Sequence, residues 1–531
     1  MEFDYVVVGG GSAGCVVAGR LSEDPAARVC LIEAGPSSER KLAVRIPLGM
    51  ALTMPGRYLS WAFETAPEPG LKGRRAFQPS GKTTGGSSAI NGTVYIRGFA
   101  SDYDHWERLG NAGWSYADVL PYFWKSEHNE AYDSELHGRG GPLNVTDPVS
   151  PSRATFDFLE AAYALGIPRA GDLNVPQPDG VSLYQTTTIR GERVSTARAF
   201  LSPARNRSNL AVMTDAHALR IIVEDRRAVG VEYLRSGTVE TVRARREVIV
   251  SCGTNKSPQL LLLSGIGPAA TLNRFGIGVV HDLPGVGENY QEHIDYCAPY
   301  KSRSTILMGL SVLGAYRMPW ELIKYAFARR GMLAGLGGPA GGFVRSDPGI
   351  DVPDLQCFFV PGIVDDHMRR FHVGHGFTIH THVCRPKSRG RVTLASTDPM
   401  ADPSIEPRFF EAEEDLELLA KACRLMRRMI ATEPLRRYLS GEYYRPESDD
   451  DQAIRTFLRA RATCGLHMAG TCKMGHDPLA VVDDRLRVHG IEGLRVADGS
   501  IMPTVTSGNT NAPIIMIGEK VSDMIREDAR G

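Results

Sequence analysis

Glycines at positions 9, 11 and 14 constrain this chain more tightly than any other feature of its sequence. The apolar, β-branched run Phe3-Asp4-Tyr5-Val6-Val7-Val8 leads into them and reads as a buried strand. Behind them, Cys15-Val16-Val17-Ala18-Gly19-Arg20-Leu21 carries apolar residues at helical spacing. A second strand, Arg28-Val29-Cys30-Leu31-Ile32, then ends on Glu33. Strand, G-x-G-x-x-G turn, helix, strand and acid, in that order, predict a dinucleotide-binding unit. Gly9 serves the tight turn, Gly11 the close approach of a pyrophosphate, and Gly14 the packing of helix on strand. The anion belongs on the helix N-terminus, beside Ser12 and Ala13, where free N–H groups and the helix dipole attract it. Glu33, about 20 residues past Gly14, stands with Ala34 where an adenosine ribose binds. The motif admits NAD and FAD alike.

A chain of 531 residues is too long for one ordinary core, so two domains are expected. Lys+Arg and Asp+Glu both total 61, and a net charge of zero argues against nucleic acid as a partner. The nine cysteines form no C-x-x-C pair and no metal-ligand spacing. They predict reduced thiols, no metal and a cytoplasmic location. Met1-Glu2-Phe3-Asp4 runs straight into the first strand, which predicts no secretory leader. No run of eighteen apolar residues predicts a membrane span.

A second glycine-rich stretch runs from Gly81 to Gly98, dense in small residues that let backbone N–H groups close on an anion. Its Gly81-Lys82 and Gly86-Ser87-Ser88, with Asn91, resemble the first signature of the glucose–methanol–choline (GMC) oxidoreductases. Gly253-Thr254-Asn255-Lys256-Ser257-Pro258-Gln259 through Gly267 resembles the second, and Pro284-Gly285-Val286-Gly287-Glu288-Asn289 follows in the same order. Gly470-Thr471-Cys472-Lys473-Met474-Gly475 and Asn509-Thr510-Asn511-Ala512-Pro513 complete the set, so the resemblance spans the chain.

This resemblance implies an α/β fold in which a Rossmann-like FAD-binding domain and an α+β substrate-binding domain are both discontinuous. The first would gather residues 1–155, 200–300 and 466–531, the second 156–199 and 301–465. FAD would contact Gly86, Ser87, Asn91, Gly92, Thr93, Val94, Ala218 and Asp498 besides the first glycine unit. Ile90 occupies the position that carries a flavin-linked histidine in choline oxidases, so the flavin is expected to be non-covalent. In the substrate part, the alternating stretch 376–383 and the run 392–394 predict strands of one sheet. Leu418, Leu419, Ala422, Leu425 and Met426 predict a helix over 411–431. Residues 301–345 show no strand signal.

The resemblance also singles out His467 and Asn511 as the catalytic pair. An imidazole titrates near neutral pH and suits a general base for an alcohol proton. An asparagine amide can orient the substrate oxygen but cannot act as the base. The implied reaction oxidises a primary alcohol, aliphatic or polyol, to the aldehyde and passes electrons to a quinone-type acceptor. An oxidase that reduces oxygen to hydrogen peroxide is the alternative. Cys384 keeps open a minor reading, since fatty-acid photodecarboxylases of this fold carry cysteine there. Finally, residues 305–333 interleave apolar and aromatic side chains with Arg317, Lys324, Arg329 and Arg330. That pattern fits either a cover over the substrate pocket or peripheral contact with the inner face of the cytoplasmic membrane.

Overall fold

The computed structural model describes residues 1–335 and 339–530. Its first strand, Glu2–Val8, and first helix, Ser12–Leu21, meet at the glycine turn, and the second strand is Val29–Ile32. Gly9 has φ +98°, a conformation that glycine alone adopts freely, and a Cβ there would stand 2.4 Å from the Ser251 carbonyl oxygen. At Gly14 a Cβ would stand 1.9 Å from the Gly9 carbonyl oxygen. Helix and turn can touch only because both residues lack a side chain.

These elements enter a seven-stranded sheet. Leu210–Met213 pairs in parallel with Val29–Ile32, which pairs with Glu2–Val8, which pairs with Thr238–Val250. Leu494–Val496 pairs in parallel with the end of Thr238–Val250, and Arg227–Arg235 and Ala216–Glu224 continue the sheet antiparallel. The register aligns Val8 with Ile32 and Val250, Ile32 with Met213, and Val250 with Val496. All five parallel strands therefore end at one edge. The residues just past them, Gly9, Glu33, Ser251 and Asp498 among them, gather there, where open α/β sheets bind ligands. Helix Asn511–Asp528 packs along Ser12–Leu21, and Arg20 holds the fully buried Glu519 carboxylate at 2.7 Å.

A second sheet is antiparallel throughout its main path: Gly441–Glu442, Ile294–Ser302, Gly374–Val383, Leu355–Val360, Ala340–Val344 and Gly180–Leu183. Helix Glu413–Ala431 buries Leu416, Leu419, Cys423 and Met426 in the same core as Tyr296, Phe359 and Phe377.

Strand Ile294–Ser302 of the second sheet runs across residue 300, where the boundary between the two parts was drawn. Two expectations need correction. Arg391–Thr393 pairs only with Ser404–Glu406, apart from the large sheet. Residues 301–345 hold a helix, Val312–Ala328, and a sheet strand, Ala340–Val344, which the local pattern hides behind glycines at 341 and 342.

Candidate active site

One cavity runs from the edge of the parallel sheet to the inner face of the antiparallel sheet. At its sheet-edge end stand Gly9, Gly11, Ser12, Ala13, Glu33, Ala34 and Ala218. Gly86, Ser87, Asn91, Gly92 and Val94 line the middle, with Asp498 and Asn511. Glu33 accepts bonds from the Gly10 N–H at 2.8 Å and the Gly35 N–H at 2.7 Å. Burial pushes its pKa up to about 7 in spite of them. Each carboxylate oxygen keeps a further lone pair for a ribose hydroxyl.

The residues fit a dinucleotide. A Cβ at Gly92 or Gly253 would meet nothing within 4 Å, so both backbones face open space at the cavity wall. Asn255, on the same wall, has both side-chain polar atoms buried without a partner in the protein. A buried amide left that way costs about 1–3 kcal/mol unless a ligand meets it.

Gly14, grouped with the cofactor glycines, lies behind the turn and acts by packing, the task its offset implies. One expected contact is placed elsewhere. Thr93 is buried in left-handed backbone at φ +64°, with its N–H on Asn91 Oδ1 at 3.0 Å, and does not line the cavity. Asp498 lines the wall but is also a junction, accepting from the Gly253 N–H, the Ser257 hydroxyl and the Ser500 N–H at 2.6–2.8 Å.

The chemistry gathers at the other end. His467 is nearly buried, and its backbone N–H is fixed on Glu292 at 2.7 Å. Its Nδ1 lies 2.9 Å from His293 Nδ1, and its Nε2 lies 2.8 Å from Asn509 Nδ2. Gln356 donates to Asn509 Oδ1 at 3.2 Å, which turns the Asn509 amide N–H toward the imidazole. That network assigns the tautomer: Nδ1 carries the proton toward His293, and the Nε2 lone pair accepts from the Asn509 amide at the cavity wall. Burial, and then the neighbouring His293, holds the His467 pKa well below the usual histidine value. The ring is thus neutral and ready to accept a proton at ordinary pH.

Asn511 does not reach this imidazole. Its Oδ1 accepts from the Ser12 hydroxyl at 2.8 Å, at the start of both packed helices. The side chain that bonds the His467 imidazole is Asn509, two residues earlier. The reason is phase: Asn511 opens the helix and turns with it, whereas Asn509 lies in the preceding loop.

Sequence reasoning also missed the sheet residues behind His467. Asp295 faces His382 across the antiparallel pair, and His380 lies two residues along the same face. Asp295 bonds His380 Nδ1 at 2.8 Å, and the His382 ring stacks on His467 with centroids 5.4 Å apart. Burial opposes charge on His380, yet Cys297 and Asp295 beside it hold its pKa well above the usual value. His293, His382 and His467, and likewise Asp295, His380 and His382, bring ligand-type atoms within 4.8 Å of one another. The His-Thr-His alternation at 380–382 was the available signal. Met50, Met54, Phe358, Val360, Val364 and Met368 add an apolar stretch of wall, with His367 set among them.

Comparison with known proteins defines the class. Residues 3–295 match the N-terminal and residues 386–518 the C-terminal model of the GMC oxidoreductases, and the chain belongs to that family. It is a flavoprotein oxidoreductase that uses FAD. The chain is 42% identical over 527 residues to an alcohol dehydrogenase [acceptor] of Pseudomonas putida, covering 98% of this chain and 95% of that one. It is 41% identical to an oxygen-dependent choline dehydrogenase of Serratia proteamaculans, covering 99% and 96%. Among solved structures, pyridoxine 4-oxidase from Mesorbium loti superposes with a TM-score of 0.89 at 29% identity, over 100% and 99% of the two chains. A formate oxidase variant of Aspergillus oryzae reaches 0.92 at 27%, with the same coverage.

Proposed function

We propose that the protein oxidises an uncharged primary alcohol to the aldehyde and delivers the electrons to a quinone-type acceptor. The observation that carries this reading is the unprotonated Nε2 of a neutral His467, which accepts from the Asn509 amide at the inner end of the cavity and which a substrate hydroxyl would engage in its place. His467 Nε2 takes the hydroxyl proton. The Asn509 amide donates to the substrate oxygen and holds the carbon for transfer. FAD, when bound, supplies the hydride acceptor. His293 keeps the imidazole in the productive tautomer through Nδ1. The apolar walls exclude water and favour an aliphatic chain over a polyol.

A choline-like cation is supported less well. The carboxylate that would meet it, Asp295, already holds His380, whose raised pKa keeps a positive charge beside it. Cys384 lies fully buried in an apolar cluster with Ile96, Phe99 and Tyr184, a packing role that lends no support to photodecarboxylation. Anaerobic bleaching of the bound flavin across a panel of alcohols tests the reading. Re-oxidation by quinone faster than by oxygen is the expected second half; rapid peroxide formation in air would instead make the enzyme an oxidase.

Two further outcomes follow from the site. Ile90 packs with Val44, Leu59 and Ala89, so acid precipitation should leave all the flavin in the supernatant. Yellow precipitate would show a covalent bond. Asn509→Ala should slow flavin reduction by roughly 10–100-fold, the scale of one lost charge-stabilising hydrogen bond. Asn511→Ala should instead weaken FAD retention and leave reduction of the bound flavin within about threefold of wild type. Stopped-flow reduction of both variants decides; a larger chemical defect in Asn511→Ala would return the role to that residue.

A further inference from the structure

Helix Val312–Ala328 turns its apolar side outward. Positions 312, 316, 320, 323 and 327 recur with the period of one helical face. Val312 is 92% exposed, Tyr316 84%, Trp320 70%, Ile323 47% and Phe327 89%. Tyr325, on the opposite side, is the helix's buried residue. This inverts the pattern of a helix packed on its own protein. The apolar surface continues through Leu310, which bridges Val373, itself 87% exposed. Contiguous apolar area of this kind marks a contact surface.

Its border is cationic. Arg317, Lys324 and Arg330 are exposed, and between 301 and 335 the sequence holds a single acid, Glu321. That carboxylate accepts from the Met332 N–H at 3.0 Å and stands 3.8 Å from Lys324, which leaves Arg317 and Arg330 without an acid in this stretch.

The stripe also borders the cavity. Behind it Tyr325, Leu333 and Ala334 pack on Ile46 and Leu48, and the same segment runs into Met50 and Met54 of the cavity wall. On the other side the Met308 N–H bonds the Pro361 carbonyl at 2.8 Å, next to Val364 and Met368 of that wall.

A second copy of the chain would bring cation against cation. A bilayer with anionic headgroups supplies an apolar layer for Val312, Tyr316, Trp320 and Phe327 and counter-charge for their basic neighbours. We propose that this helix lies flat in the interface of an anionic membrane and sets the cavity wall against the lipid. The inference goes beyond the alcohol reading and stands or falls without it.

The test is flotation of the FAD-loaded full chain with mixed phosphatidylcholine–phosphatidylglycerol vesicles, with pure phosphatidylcholine as the comparison. The protein should float with the mixed vesicles and far less with the pure ones, and the bound fraction should fall as salt rises. The double change Trp320→Glu and Phe327→Glu, and separately Arg317→Glu with Lys324→Glu, should each weaken partition about tenfold or more. Both variants should retain flavin and be reduced by water-soluble alcohol at the wild-type rate. Wild-type protein left at the bottom of the gradient at low salt overturns the proposal, as does equal flotation on pure phosphatidylcholine. A lipid-free dimer that the Trp320→Glu and Phe327→Glu change splits also overturns it, because a second copy then covers the stripe. An alcohol panel that fails to bleach the flavin leaves the flotation result untouched, so the two readings fail separately.

Discussion

Replacing His467 with alanine is expected to slow alcohol-driven flavin reduction by roughly 10²–10⁴-fold, the usual loss for a general base. The protein should stay yellow, because His467 lies at the end of the cavity remote from Glu33 and the glycine turn. Without it, the Nε2 lone pair that Asn509 holds and the substrate hydroxyl would use disappears, and no other described group takes its position. His382 stacks on the ring, and His293 meets only its far nitrogen. The pH profile adds a readout that packing damage would not move. Burial holds the His467 pKa well below the usual histidine value, so the base is unprotonated through neutral pH. Wild-type reduction should therefore stay level as pH drops through 6.5 and fall only in more acid solution. A fall centred at or above 6.5, or near-normal reduction in His467→Ala, would mean that another group takes the proton.

Gly14→Ala should be the most damaging single-methyl change in the cofactor half. The added Cβ would stand 1.9 Å from the Gly9 carbonyl oxygen, and that atom belongs to a turn already pinned against Ser251. Neither side can yield as a flexible side chain would. Overpacking of this kind costs about 1–3 kcal/mol or more, equivalent to roughly a hundredfold in flavin retention if it falls on the bound conformation. The variant should purify pale and melt earlier. Gly56→Ala is the control: a Cβ there meets nothing within 4 Å, and the protein should remain fully yellow. A Gly14→Ala protein with full flavin content would show that the turn tolerates displacement.

What the sequence made legible was governed by local rules. The glycine unit and Glu33 could be read because turn geometry, close approach and helix packing each demand a residue type at a fixed offset. His467 could be reached because it precedes a dense small-residue motif. Asn509 could not be told from Asn511, since their difference lies in where the last helix begins, and boundaries are the weakest part of any pattern-based reading. Asp295, His380 and His382 come together only through the pairing of two strands some 80 residues apart, which is a non-local fact. In Val312–Ala328 the period of one helical face at 312, 316, 320, 323 and 327 was legible, but that this face points outward is a tertiary fact.

The order in which the parallel sheet is assembled bears on when the protein can acquire its cofactor. Its central strand is made first, at Glu2–Val8, yet the strand beside Thr238–Val250 is Leu494–Val496, and the helix covering Ser12–Leu21 is Asn511–Asp528. A growing chain carries Val8, Ile32 and Val250 with one flank and one face uncovered until residues 494–528 have been made. Long-range closure of this kind is slow and leaves sticky surface exposed to solvent. The turn that the flavin would occupy is therefore closed on all sides only once residues 494–528 have docked, and a chain cut before Leu494 would leave an apolar half-sheet exposed.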